Sequence, residues 1–120
     1  MKNKEIGTVG ESLAAYFLRA LGYEILEAHF ITKFGEIDLI VRKGDFVYLI
    51  EVKTRKNEAF GDIYETFTKW QLERVSMGGR YFALRNNIPE ECLKIACIGI
   101  KLNEFGGVSD IELIKDISLD

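Results

Sequence analysis

Apolar positions along this chain recur with two periods, one near 3.6 residues and one of two, and their order predicts its elements. Val9, Leu13, Phe17 and Leu21 repeat at helical spacing, with Ala14 and Leu18 widening the stripe, so a helix is predicted over Val9–Leu21. Thr8 and Glu11 match a capping box, threonine as N-cap and glutamate at N3. Gly22 suits the left-handed position just past the end. Tyr23–Ile31 reads as a first strand. Two runs rich in β-branched residues then flank Lys43-Gly44-Asp45, the pattern of a β-hairpin. A Gly44-Asp45 loop suits a type II′ turn, because glycine tolerates φ > 0 at the first central position. This register pairs Lys43 with Phe46, Leu39 with Ile50, Asp38 with Glu51 and Glu36 with Lys53. One face then carries Ile37, Leu39, Val41, Tyr48, Ile50 and Val52, a strip fit for a core. The other carries Asp38, Glu51 and Lys53 at its open end.

Beyond the hairpin, Thr54–Tyr64 has few apolar residues, with Phe60 among them and a Gly61-Asp62 breaker near its end, and reads as a loop. A second helix is predicted over Thr68–Leu84, with Thr68 and Gln71 as a capping box and Leu72, Val75, Gly79 and Phe82 as its buried stripe. Gly78-Gly79 inside it costs about 1 kcal/mol per residue relative to alanine, which implies close packing against the sheet. Arg85–Glu91 is a loop, Leu93–Leu102 a strand, Gly106-Gly107 a turn and Val108–Ile117 a last strand. The order αβββαββ predicts an α/β sandwich: a central mixed sheet flanked by helices, its third strand joined to the fourth by a right-handed helical crossover.

A length of 120 residues fits one domain. With 48% apolar and 29% charged residues, the composition is that of an ordinary soluble protein. No apolar run reaches the length of a membrane span, and no apolar region follows Met1–Glu5 as in a signal peptide, so the expected location is the cytoplasm. If Cys92 and Cys97 lie on one extended strand, they are about 16 Å apart and on opposite faces, too far for a disulfide. A single histidine, His29, makes a structural zinc site improbable and is better read as a hydrogen-bonded or surface residue. The net charge of −3 counts against a broad basic surface for nucleic acid, although it leaves room for a local patch.

The hairpin's open end holds the candidate chemistry. Like charges directly opposite on a sheet destabilise it by roughly 0.2–1 kcal/mol per pair, and a divalent cation would reverse the sign. Mg²⁺ binds through one or two carboxylates plus water and phosphate oxygens, and Lys53 adds a compact positive charge beside them. The alternative is that this is simply the polar outward face of a half-buried sheet.

Several runs carry a family resemblance: Gly10-Glu11, Leu21-Gly22-Tyr23, Gly35-Glu36-Ile37-Asp38-Leu39-Ile40 and Glu51-Val52-Lys53-Thr54-Arg55. Asp38 followed on the next strand by Glu51-Val52-Lys53 resembles the active-site signature of the PD-(D/E)xK nuclease superfamily. The wider set resembles its YraN-like branch, small proteins related to archaeal Holliday-junction resolvases. The resemblance implies a restriction-endonuclease-like fold and a metal-dependent nuclease hydrolysing phosphodiesters in nucleic acid, DNA in the first place, branched DNA included. Asp38, Glu51 and the backbone carbonyl of Val52 would hold Mg²⁺ or Mn²⁺, and Lys53 would orient the attacking water and stabilise charge on phosphate. Glu36, opposite Lys53, would tune that lysine. A first-helix glutamate reaches the metal in related nucleases, which gives Glu11 a second reading besides the cap.

Arg55 and Lys56 are either solvated or track phosphates. Lys69 is unfavourable at the positive end of a helix dipole unless a phosphate docks there, and Gln71 at the same level would support the site. The chain departs from the family at His29-Phe30-Ile31-Thr32-Lys33, where an asparagine is usual. It departs again in the fourth strand, where Lys94 would stand for an arginine and Ala96 and Cys97 supply no acid. The expected partner is nucleic acid, with no membrane; a homodimer is compatible with the reading. The alternative function is a nuclease-like binding or interaction protein with an inactive or very slow site.

Overall fold

In the computed structural model, residues 3–56, 67–115 and 117 are described, the side chains from residue 9 onward. The first helix, α1 (Asn3–Ala20), begins six residues before the apolar stripe does. Thr8 and Glu11 therefore lie inside it, and the capping-box reading of that pair is corrected. Apolar periodicity marks only turns that bury something, so it is silent over a polar beginning. The helix ends as its sequence requires. Gly22 takes φ +93°, and the amides of Gly22 and Tyr23 donate back to the carbonyls of Arg19 (3.0 Å) and Leu18 (2.9 Å), the paired bonds of a Schellman stop.

Three antiparallel strands follow: β1 (Glu24–Thr32), β2 (Gly35–Lys43) and β3 (Phe46–Arg55). Lys43 pairs with Phe46, and Gly44 alone in that turn has positive φ (+62°), as a type II′ turn demands. β3 runs two residues past its expected end, so Thr54 and Arg55 belong to the sheet; Phe60 and Gly61-Asp62 lie outside the described residues. Helix α2 (Lys69–Arg85) then carries the chain back to β4 (Leu93–Leu102), which is parallel to β3 and preceded by one 3-10 turn at Glu90–Cys92. β5 (Val108–Ile114) is antiparallel to β4 and stops short of the expected Ile117. Ile117 instead donates its amide to the Ile95 carbonyl (2.9 Å) and is buried with Leu72 and Cys97. The five strands lie in sequence order, the mixed sheet with two helices that the pattern predicts.

Both faces of the sheet are covered. Ala14 and Leu18 of α1 pack on Leu39, Val41, Ile50, Ala96, Ile98 and Ile100. Val75 and Phe82 of α2 pack on Ile37, Ile40, Val47 and Leu49. The hairpin is thus no half-solvated ribbon, and its central strands read as near-continuous apolar runs because both sides are buried. One detail departs from strict alternation. Ile37 and Ile40 serve the α2 side while Leu39 serves the α1 side, so the strand turns over between Ile37 and Leu39, at Asp38.

Helix α2 has the expected capping box: the Gln71 amide donates to Thr68 Oγ1 (3.1 Å) and the Thr68 amide to Gln71 Oε1 (3.0 Å). Its Gly78-Gly79 pair lies against the sheet, where a Cβ on Gly78 would sit 3.2 Å from Ile37 Cδ1 and one on Gly79 would collide with Leu49 Cδ1. Leu49 is enclosed and cannot swing away. Gly79→Ala is therefore expected to lower stability by about 1–3 kcal/mol through overpacking, despite the roughly 1 kcal/mol that alanine gains in a helix. A urea midpoint at or above wild type would contradict this packing.

Candidate functional site

The site forms where β2 and β3 part. Their ladder runs from Lys43↔Phe46 to Leu39↔Ile50 and ends there. The expected opposition of Asp38 to Glu51 and of Glu36 to Lys53 is corrected, since neither pair lies in the ladder. Past its last rung, the Val52 amide donates to a carboxylate oxygen of Asp38 at 2.8 Å. An aspartate side chain thus takes the place of a backbone carbonyl in the sheet, which fixes Asp38 in the plane between strands.

β3, still paired with β4 on its other edge, presents Glu51 opposite Cys97 and Lys53 opposite Gly99. Glu51 and Lys53, two and four residues beyond Leu49, share its α2 side of the sheet. The Asp38 and Glu51 carboxyl groups come within hydrogen-bonding reach of each other, and both are partly buried. Burial first, then the Asp38 charge, pushes Glu51 up from 4.5 to about 8. Burial also raises Asp38, against the opposing pull of the Val52 amide. Lys53 Nζ stands 4.0 Å from Glu51 Oε1, beyond hydrogen-bonding distance, and lies 5.7 Å from the centre of the Phe67 ring. Its ammonium therefore keeps donors for another partner.

From the opposite side comes α1, pressed onto β3 at Gly10. A Cβ there would meet Thr54 Oγ1 and lie 3.2 Å from Thr54 Cβ. The next residue, Glu11, is placed near Asp38, whose charge joins burial in raising the Glu11 pKa. His29 then links two acids: Nε2 is 2.7 Å from Glu11 and Nδ1 is 2.6 Å from Glu36. It does so from a left-handed backbone (φ +53°) within β1. The expectation of a hydrogen-bonded histidine holds, but its role in tying Glu11 to the sheet is invisible in sequence. Glu36 is engaged there rather than with Lys53.

Asp38, Glu51, Val52 and Lys53 thus converge, with Glu11 beside them. Arg55 follows Lys53 on the same side and is close enough to act on the buried Cys97 thiol, which burial drives up to about 12. Lys56 is exposed at the end of β3. Lys69 is exposed in the first turn of α2, and Gln71 spends its side-chain oxygen on the cap. Phe67, under Lys53, marks where α2 starts beside the site. Lys94 does not reach it: it pairs with Tyr48 and lies over Phe46, 5.1 Å from the ring centre, three residues back from Cys97. Both cysteines are free. Among the described residues no three histidine, cysteine, aspartate or glutamate side chains form a cluster able to hold a metal by themselves. Two carboxylates and a carbonyl fit a hard cation that keeps waters and takes phosphate oxygens as its remaining ligands. Among the described residues, no helix is long and apolar enough to cross a membrane.

The profile of uncharacterised protein family UPF0102 matches residues 10–100. Three proteins bearing that family's name are similar over nearly their whole length. The chain is 34% identical to one from Clostridium kluyveri over 114 residues, 95% of this chain and 93% of the other. It is 34% identical to one from Caldicellulosiruptor saccharolyticus over 116 residues, 97% and 98%. It is 38% identical to one from Geotalea daltonii over 114 residues, 95% and 89%.

The raised carboxyls have a consequence for pH. Glu51 ionises near 4.5 in the unfolded chain and near 8 when folded, so between those values the folded state binds the extra proton. Stability from this group is complete below 4.5 and is lost as pH rises through about 8. His29, raised first by its hydrogen bond to Glu36 and then by the Glu11 charge, works in the same direction. Urea midpoints in chelator should fall from pH 6 to pH 9 by the equivalent of about 2–4 kcal/mol. Glu51→Gln should remove most of that slope and His29→Gln a smaller part; an unchanged slope in Glu51→Gln would refute the buried acid pair.

Proposed function

The chain belongs to uncharacterised protein family UPF0102, and we propose that its site is that of a divalent-metal-dependent nuclease hydrolysing phosphodiesters, DNA first among its substrates. The observation that carries this reading is the meeting of two partly buried carboxyls, Asp38 and Glu51: burial raises the pKa of both, and the Asp38 charge adds to the rise of Glu51. Such a pair is costly to ionise without a cation. In this reading Asp38, Glu51 and the Val52 carbonyl hold Mg²⁺ or Mn²⁺. When bound, the ion supplies Lewis-acid polarisation of the scissile phosphate and makes water more acidic.

The chain's own groups do the rest. The Val52 amide keeps Asp38 aimed, so the carboxylate pays little ordering cost when a ligand arrives. Lys53, 4.0 Å from Glu51, is poised between that carboxylate and a phosphate, where it orients the attacking water and offsets charge developing on the phosphate oxygens. Glu11, held by His29, takes a supporting place beside Asp38. Arg55, Lys56 and Lys69 border the site and position the phosphate backbone without reading bases. The second reading is a nucleic-acid-binding module with a very slow site. It is favoured by the fourth strand, where Cys97 rather than an acid stands opposite Glu51.

Cleavage of labelled linear, nicked, flapped and four-way DNA and of RNA, with Mg²⁺, Mn²⁺ or chelator, tests the choice. The nuclease reading expects metal-dependent cleavage that Asp38→Asn abolishes, with the fold kept because asparagine can still accept from Val52. Metal at a hundred times its dissociation constant should stabilise wild type by about 2.7 kcal/mol and Asp38→Asn far less. Lys53→Ala should cut kcat at least a hundredfold while substrate affinity changes little. If no substrate is cut under any condition, the enzyme reading fails and the binding module stands.

A further inference from the structure

We propose that the side of α2 turned toward the β1–β2 turn is a stacking platform for single-stranded nucleic acid, an inference that rests on the nuclease reading and names the strand form its substrate takes. Trp70, Arg74, Met77, Tyr81 and Arg85 recur at helical spacing along this side. Their aromatic members are exposed, Trp70 at 65% and Tyr81 at 42%. Cations are interleaved with them: the Arg74 guanidinium lies 5.2 Å from the Trp70 ring centre and that of Arg85 5.6 Å from Tyr81. Arg74 also reaches the Lys33 carbonyl (3.4 Å), and the Lys33 ammonium lies 5.3 Å from the Phe34 ring centre. Between helix and turn is an open groove of about 340 Å³, whose lining includes Ile31, Phe34 and Tyr81 together with Lys33 and Arg85.

This combination of aromatic faces with basic groups is what unpaired polynucleotide requires, since every base offers a π-face and every linkage a negative charge. The local charge supports that occupant. Along α2, Lys69, Arg74, Arg80 and Arg85 stand against one acid, Glu73, although the whole chain carries −3. Arg80 is spent on Glu90 at 2.5 Å, on another side of the helix. A second copy docked two-fold on this face would oppose arginine to arginine, so charge disfavours self-association. The platform starts close in sequence to the site: Phe67, under Lys53, is followed by the cap Thr68 and, three residues on, by Trp70. From Trp70 to Tyr81 is about 16 Å along the helix, the rise of roughly five stacked nucleotides of one strand.

Trp70 is the chain's single tryptophan, so its fluorescence reports stacking on the unmodified protein. With chelator present, oligothymidylate and oligouridylate of about twelve nucleotides, a length suited to such grooves, should quench it saturably; a G·C duplex of the same length should quench far less. The tighter-binding oligomer identifies the strand as DNA or RNA. Tyr81→Ala should weaken binding roughly five- to a hundredfold, with Tyr81→Phe near wild type and helicity unchanged in both. Arg74→Ala or Arg85→Ala should each reduce the salt slope by about 0.7. Absence of quenching, equal quenching by duplex, unaltered affinity in Tyr81→Ala, or self-association through α2 in place of binding would each overturn the platform. Metal-dependent cleavage without quenching would leave the nuclease and remove the platform; quenching without cleavage would do the reverse.

Discussion

The bond from the Val52 amide to the Asp38 carboxylate is the joint on which the site depends. A sheet can hold an acid between two strands only where its ladder has stopped, and here it stops at Leu39↔Ile50. Val52 would otherwise lose its partner on that side, and an unsatisfied amide away from water costs about 1–3 kcal/mol. Asp38 removes that cost and becomes fixed in return. The fixing has its own cost, because the same position brings it against Glu51 in a partly buried place. Neither carboxyl is comfortable as an anion, which is why both are raised.

Two close approaches of helix to sheet build the walls around that joint. At Gly10 the absence of a side chain lets α1 settle on Thr54, whose hydroxyl is buried with no hydrogen-bond partner among the described residues. Glu11 is thereby delivered to the α1 side of the site, and His29 holds it there. At Gly78-Gly79 the same device seats α2 on Ile37 and Leu49. With that helix seated and capped at Thr68, Phe67 lies under Lys53. Glycines that lower helix propensity thus set distances to the acidic pair from both sides of the sheet.

The sequence made most of the fold legible. Paired periods, turn residues and one true capping box located every strand and both helices, and the II′ turn at Gly44-Asp45 set the hairpin register correctly. What failed shares a cause. The start of α1, the extension of β3 through Arg55 and the end of the β2–β3 ladder all lie where local pattern is silent and tertiary contact decides. Extrapolating a correct register past Leu39 put Glu36 opposite Lys53, but the strands had already parted and Glu36 had turned to His29. The same limit applies to the candidate site. The convergence of Asp38, Glu51 and Lys53 follows from two adjacent strands and is local in sequence. The union of Glu11, His29 and Glu36 spans a helix and two strands, and a histidine at φ +53° in a strand has no sequence signal of its own.

An acidic protein is an awkward partner for the polyanion proposed above, and the distribution of charge bears on that difficulty. Four acids, Glu11, Glu36, Asp38 and Glu51, lie close enough to act on one another, with His29 bridging Glu11 and Glu36 and burial raising Glu51 to about 8. Lys53 stands beside Glu51 and Arg55 follows it on β3, while Lys69, Arg74, Arg80 and Arg85 make α2 a basic helix with one acid, Glu73. Net charge averages these two zones and so conceals them. At a Debye length of about 8 Å in physiological salt, a phosphate close to the surface responds to its own neighbourhood and hardly to the total of −3. In the proposed reading the acidic pair would draw a cation and the basic groups of β3 and α2 would draw phosphate, so the two attractions need not oppose each other.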